Sequence, residues 1–75
     1  MKINLHYKGF IKISKYKNDS LIEVPDNCTV RDLVSLLGIN QKQPVHVLVN
    51  DEPAWNSTII KESDSVKVYP LMSGG

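Results

Sequence analysis

Few side chains in this sequence could carry out chemistry. There is one cysteine, Cys28, and there are two histidines, His6 and His46. One thiol cannot form an internal disulfide, and a cysteine-built zinc or iron–sulfur site needs several thiolates. We therefore predict no metal and no bound cofactor. We interpret Cys28 as a small structural residue beside a helix start, with a redox or sulfur-relay thiol as the alternative. We interpret His46 as an exposed or hydrogen-bonded side chain without a catalytic partner.

The end of the chain offers a different reactive group. Gly74 and Gly75 are the last two residues, and they follow a short spacer, 70–73, beyond the last predicted strand. Residues without side chains let a backbone enter a narrow channel and adopt conformations closed to other residues. The pair would present a bare carboxylate that another protein could bind. The alternative is a terminal segment without a function, because domain ends are often disordered.

Size and charge limit the classes of function. The chain has 75 residues, a net charge of +1 and 41% hydrophobic residues. A domain of this size buries roughly 60% of its unfolded surface, which leaves little room for an enclosed active site. The near-neutral charge disfavours duplex DNA and anionic membranes, and no apolar run is long enough to span a bilayer. We expect a cytoplasmic carrier, adaptor or subunit rather than an enzyme, with no nucleic-acid or membrane partner.

Two short β-type segments occupy the first third of the chain. Residues 2–8 alternate polar and apolar side chains, which predicts a half-buried strand. A second piece of strand is expected around Ile11 and Ile13. Residues 21–24 form another β-type run that stops at Pro25. These segments predict a β-hairpin whose turn the sequence does not define.

A helix and two further strands follow. Thr29 is a predicted N-cap with Asp32 at the third helical position, and Gly38 suits the left-handed residue after the helix. Between them, apolar residues recur at the helical spacing: Val30, Leu33, Val34 and Leu37. Strands are predicted at 45–50 and 66–69, with an irregular segment from Pro53 to Thr58. The order β-β-α-β-β predicts an α+β layer structure that fits a β-grasp, with a domain at 1–70 and a free tail at 71–75.

Short sequence matches to a known family run in order through the C-terminal two-thirds of the chain. They are 29–33, Leu37-Gly38, 47–50, 60–66, Pro70 and 73–75. On these residues the chain resembles the small ubiquitin-like sulfur carriers, which include the small subunit of molybdopterin synthase and the thiamine-biosynthesis sulfur carrier. Two turns depart from the family pattern, because Asp51 and Ser63 stand where glycine is usual. Asp and Ser are also turn-forming residues, so we expect both turns to persist.

The resemblance implies a ubiquitin-like β-grasp with a mixed sheet, one main helix and a mechanism centred on Gly75. An E1-like ATP-dependent activating enzyme would adenylate the Gly75 carboxylate, and sulfur would then replace the adenylate to give a thiocarboxylate. Gly74 and Ser73 would thread the tail into partner sites. The sulfur acceptor would be the large subunit of molybdopterin synthase or a thiazole synthase. Tyr69-Pro70 favours molybdenum or tungsten pterin, whereas the region around Trp55 is more similar to the thiamine carriers.

Partner proteins would also need a surface on which to dock. We predict an apolar docking patch formed by Leu48, Tyr69, Leu71 and Met72; the alternative is that these residues complete the core or are exposed singly. Trp55 is interpreted as a lid on one end of the core, and the alternative is that it contacts a partner. Four lysines would form a solvated strand edge rather than a nucleic-acid site: Lys8, Lys12, Lys15 and Lys17.

Two other functions use the same fold. A ubiquitin-like protein modifier would join Gly75 to lysines of other proteins through isopeptide bonds. A plain β-grasp binding module would leave the Gly-Gly end without a role.

Overall fold

The structure is a mixed five-stranded sheet with one helix packed across it. It is a computed structural model that describes residues 1–8, 13, 15–40 and 42–71. The elements are β1 (Lys2–Tyr7), β2 (Ser20–Glu23), α1 (Val30–Leu36), β3 (Val45–Val49), β4 (Glu52–Pro53) and β5 (Ser65–Pro70). The strand order is β2-β1-β5-β3-β4. β1 and β5 pair in parallel, and the other neighbouring strands are antiparallel, as in a β-grasp.

Most of the predicted elements are confirmed. β1 and β2 form the expected antiparallel pair, with Ile3 opposite Ile22. One prediction differs from the structure in the later part of the chain. The sequence pattern indicates an irregular segment from Pro53, whereas the structure pairs Pro53, as part of β4, with β3. Two residues are too few to show a period-two pattern, so this strand leaves no signal in the sequence. Ile13 is buried but lies outside any strand, while Ile11 lies outside the described residues.

The helix begins and ends at the predicted residues. The Thr29 side chain accepts a hydrogen bond from the Asp32 N–H, and the Asp32 carboxylate accepts one from the Thr29 N–H, both at 3.1 Å. This reciprocal pair is a capping box. At the other end, Gly38 has φ of +75°, and Ile39 donates its N–H to the Val34 carbonyl oxygen at 3.3 Å. These are features of a Schellman termination, in which glycine tolerates the left-handed conformation.

The hydrophobic core lies between α1 and the inner face of the sheet. Side chains with the least exposure come from both layers: Ile3, Leu5, Leu33, Ile60, Val66 and Val68. No polar side chain is buried among the described residues. A seven-residue helix is too short to be stable alone, so burial of its apolar stripe against the sheet holds it in place. Within the described part of the chain, no helix is long and apolar enough to cross a lipid bilayer.

The two turns that depart from the family pattern keep a glycine-like backbone. Asn50 and Asp51 have φ of 53° and 67°, and they connect β3 to β4 as a two-residue hairpin loop. Ser63 has φ of 68° in the turn before β5. The side chain of Asn50 also accepts a hydrogen bond from the Ser65 N–H at 2.9 Å, which ties the hairpin loop to the start of β5. The prediction that both turns persist is therefore confirmed.

Candidate functional site

Two residues of the predicted docking patch share the outer face of the sheet, opposite α1. Leu48 pairs with Lys67, and His46 pairs with Tyr69, on the antiparallel strands β3 and β5. Leu48 and Tyr69 are therefore diagonal neighbours on one face. Both are half-buried, which leaves part of each side chain available to a partner. Pro53 of β4 lies on the far side of Leu48 and extends the apolar surface to the edge of the sheet.

Polar groups surround the Tyr69 ring. The His6 ring meets it edge-on, with the ring centroids 6.2 Å apart, and the Lys8 ammonium lies 5.6 Å from the Tyr69 centroid. Lys67 forms an ion pair with Asp51, with 2.7 Å between Nζ and Oδ1, and this hydrogen bond raises the pKa of Lys67. The outer face is therefore a mixed aromatic and cationic surface around Tyr69, with Leu48 as its aliphatic neighbour.

The C-terminal segment leaves the sheet at a defined point. The Leu71 N–H donates a hydrogen bond to the Pro44 carbonyl oxygen at 3.0 Å, and the Leu71 side chain is 53% exposed. This bond continues the pairing of β5 with β3 by one residue beyond Pro70. The other tail residues singled out from the sequence lie outside the described residues: Met72, Ser73, Gly74 and Gly75.

A groove opens beside Leu71, between the first turns of α1 and strand β3. It has a volume of about 710 Å³. Trp55 stands at this groove and is 74% exposed, so the interpretation of Trp55 as a lid on the core is wrong. Ile60, five residues further along the chain, has no exposed surface and is part of the core. Sequence patterns missed the groove because it depends on how a loop packs against a helix.

Hydrogen bonds hold the loop that carries Trp55. The Trp55 N–H donates to the Thr58 hydroxyl at 2.9 Å, and the Ala54 N–H donates to the Val47 carbonyl oxygen at 2.9 Å. The loop also accepts hydrogen bonds from the helix start, since Val30 donates to the Thr58 carbonyl oxygen at 3.0 Å. These bonds satisfy backbone donors that a helix N-terminus leaves free. They attach the loop, which forms one wall of the groove, to β3 at one end and to α1 at the other.

The remaining candidates from the sequence are Cys28, His46 and the four lysines. Cys28 is 3% exposed, and burial raises the pKa of its thiol, with a further contribution from the negative charge of Asp32. A raised pKa keeps this thiol protonated and unreactive near neutral pH. His46 is exposed, and Lys8, Lys15 and Lys17 are exposed, while Lys12 lies outside the described residues. No group of three or more possible metal ligands occurs in the part of the chain that the structure describes.

Comparison with known proteins gives the family. The family model described as the ThiS family matches residues 10–75, which is most of the chain and includes the Gly-Gly end. The chain belongs to the ThiS family. It is thus a small protein of the sulfur-carrier or ubiquitin-like type. No protein of curated function matches the sequence of this ThiS-family chain.

Solved structures agree on the fold of this ThiS-family protein. One similar structure is SAMP1 from Haloferax volcanii, with 17% identity, a TM-score of 0.68 and full coverage of both chains. Another is a putative molybdopterin converting factor, subunit 1, from Pyrococcus furiosus. It shares 22% identity with a TM-score of 0.71, and the match covers 95% of this chain and 98% of that one. At these identities the likeness shows a shared ubiquitin-like β-grasp, which confirms the predicted fold class.

Proposed function

We propose that this protein is a sulfur carrier whose C-terminal glycine, Gly75, carries the sulfur as a thiocarboxylate. The observation that supports this proposal most directly is the family match, which extends from residue 10 through Gly75. The protein itself supplies no catalytic side chain in this proposal. A larger partner provides the active site, and this chain provides the reactive end and the surface that the partner recognises.

The chemistry follows from the properties of a carboxylate. An α-carboxyl group has a pKa of about 3.3–3.7, so it is an anion at neutral pH and resists nucleophilic attack. The E1-like activating enzyme removes this obstacle by letting a Gly75 oxygen attack the α-phosphate of ATP, which releases pyrophosphate. A sulfur nucleophile then displaces AMP from the acyl carbon and leaves a thiocarboxylate. The sulfur of that group is a better nucleophile than oxygen, and it attacks the biosynthetic intermediate.

The position of Leu71 supports this use of the chain end. Leu71 is held to Pro44 at the end of the sheet, and four residues follow it in the sequence. Four extended residues reach at most about 14 Å. A partner that acts on Gly75 must therefore bring its own surface close to the sheet end. Gly74 and Ser73 are small enough to pass through a narrow channel on the way.

We further propose that Leu48 and Tyr69 on the outer face are partner contacts. We expect Leu48→Asp or Tyr69→Asp to weaken binding of the activating enzyme by about tenfold or more, since a buried carboxylate at an interface is costly. Isothermal titration calorimetry with the activating enzyme of the same host measures this. Ile59→Asp is the matched control, because Ile59 is 54% exposed and lies beside Asp26 and Asn27, before the helix, rather than on the outer face.

Circular dichroism separates the two interpretations of these residues. A Leu48→Asp or Tyr69→Asp variant that remains folded and binds with the affinity of the unchanged protein contradicts the docking role. A variant that unfolds shows that the residue belongs to the core, and the docking role is then wrong for that residue.

The proposal is tested by reconstitution. The purified protein, the activating enzyme of its host and ATP are expected to give pyrophosphate and a Gly75 adenylate detectable by mass spectrometry. Deletion of Gly75 is expected to abolish both, while the deleted protein keeps its fold by circular dichroism. Undiminished activity after that deletion would exclude both the carrier and the modifier functions, and a plain binding module would be the remaining hypothesis.

Additions to this reconstitution, together with protein from the native host, separate the remaining alternatives. A sulfur donor added to the mixture converts the adenylate to the thiocarboxylate if the protein is a carrier. Conjugates of higher mass in the native host would instead identify a protein modifier. Transfer of the sulfur to a pterin precursor or to a thiazole precursor decides between molybdenum or tungsten pterin synthesis, which Tyr69-Pro70 favours, and thiamine synthesis.

A further inference from the structure

The groove beside Trp55 has a mixed lining, in which polar side chains stand beside exposed apolar ones. The polar side chains are those of Arg31, Gln43, His46 and Asn56. Its lining includes four valines, Ala54, Trp55 and Leu71, and two of these, Trp55 and Leu71, are more than half exposed. A tryptophan side chain buries on the order of 150–250 Å² when it is covered, so an exposed one is a large unused contact. Tryptophan and arginine are also the side chains that most often dominate binding energy at interfaces.

The charge at the groove is of one sign. Arg31 is its one formally charged lining residue, and no carboxylate lines it. Arg31 forms no ion pair with any residue that the structure describes. An occupant that complements this surface therefore combines apolar side chains with a carboxylate, which would pair with the guanidinium in two parallel hydrogen bonds.

We propose that the groove binds an apolar segment with a carboxylate, contributed by the activating enzyme that holds the C-terminal tail. This inference rests on the proposed function, because it takes Gly75 to be the group on which the enzyme acts. Leu71 lines the groove and begins the tail, and Gly75 lies within about 14 Å of Leu71 along an extended chain. An enzyme surface that surrounds the tail over so short a distance also reaches the groove.

The groove is organised before the partner arrives. Trp55 is held by the backbone bonds that join its loop to β3 and α1, so binding orders little additional backbone. The outer face carries Leu48 and Tyr69, whereas the groove lies on the helix side of β3. The activating enzyme would therefore hold the sheet end from two sides, with the tail between them.

The experiment compares binding by paired variants of the full-length protein. We expect Trp55→Ala and Arg31→Glu each to weaken binding of the activating enzyme by about tenfold or more. The matched controls, Ile59→Ala and Lys61→Glu, remove an exposed apolar group and reverse a charge outside the groove, and we expect them to bind within about twofold of the unchanged protein. Arg31→Glu places an acidic residue in the first turn of α1, which favours the helix, so lost binding would not reflect lost stability.

A second measurement observes the groove directly. The chain has one tryptophan, so isotope-labelled protein gives one indole N–H signal in an NMR spectrum. We expect unlabelled activating enzyme to shift or broaden this signal. An unmoved indole signal, together with Trp55→Ala binding at full affinity and normal adenylation of Gly75, would overturn the groove inference alone. Failure of the unchanged protein to be adenylated would overturn the proposed function, and the groove inference with it.

NMR spectra of the protein without a partner test whether a second copy of this chain occupies the groove. An indole signal that shifts as the protein is concentrated, without any partner, would identify a second copy of this chain in the groove and overturn the proposal. A signal that does not depend on concentration supports an enzyme segment as the occupant.

Discussion

Residues with side chains adopt a left-handed backbone at two turns of this fold, and their side chains compensate for the strain to different extents. Asn50 and Asp51 both adopt left-handed conformations, which Asn and Asp tolerate better than other residues with side chains. Asp51 also gains an ion pair with Lys67. Ser63 adopts φ of 68° and donates its N–H to the Lys2 carbonyl oxygen at 2.8 Å, whereas its side chain forms no hydrogen bond with a described residue. The Ser63 side chain therefore contributes nothing of the kind that Asp51 gains from its ion pair.

This difference gives a prediction about stability. We expect Ser63→Gly to raise the free energy of unfolding by about 1 kcal/mol, because glycine removes the penalty of a left-handed backbone. Urea denaturation followed by circular dichroism measures the change. Ser63→Ala is the control, since alanine keeps the penalty and we expect no gain from it. Equal stability of the glycine and alanine variants would show that this backbone position is not strained.

The helix is the element whose local sequence predicts its structure most completely. Its N-cap, its apolar spacing and its terminal glycine are each set by neighbouring residues, and each was predictable. The strand β4 and the exposure of Trp55 were not predictable, because they depend on contacts between distant segments. The sequence likewise does not indicate that Ile60 is buried while its neighbour Ile59 is exposed. The preceding loop, 54–58, is held in place by hydrogen bonds from the backbone of α1.

The capping box gives the prediction at this scale. We expect Thr29→Ala to lower the free energy of unfolding by about 1 kcal/mol, since it leaves the Asp32 N–H without its acceptor. Thermal or urea unfolding measures the loss. Thr29→Ser keeps a hydroxyl in the same place, and we expect it to restore most of the stability. A serine variant as unstable as the alanine variant would show that Thr29 acts through packing rather than through the cap.

The arrangement of the whole molecule indicates how 75 residues can suffice for the proposed function. In the proposed function, the sheet and helix support the chain end, and the partner enzyme supplies the catalytic groups. Its outer face and its groove lie on either side of the strand β3, beside the point where Leu71 leaves the sheet. The outer face could be predicted from strand alternation, because the register placed Leu48 and Tyr69 together. The groove could not, because no periodicity describes the space between a loop and a helix.

The chemical state of the chain end tests the central proposal most directly. The protein is isolated from its native host without reducing agents, and its intact mass and C-terminal peptide are measured. We expect a fraction of the molecules to carry one sulfur in place of one oxygen at Gly75, and we expect this fraction to disappear in a host that lacks the activating enzyme. A carboxylate at Gly75 in every molecule, whether or not the activating enzyme is present, would contradict the proposal that this protein carries sulfur.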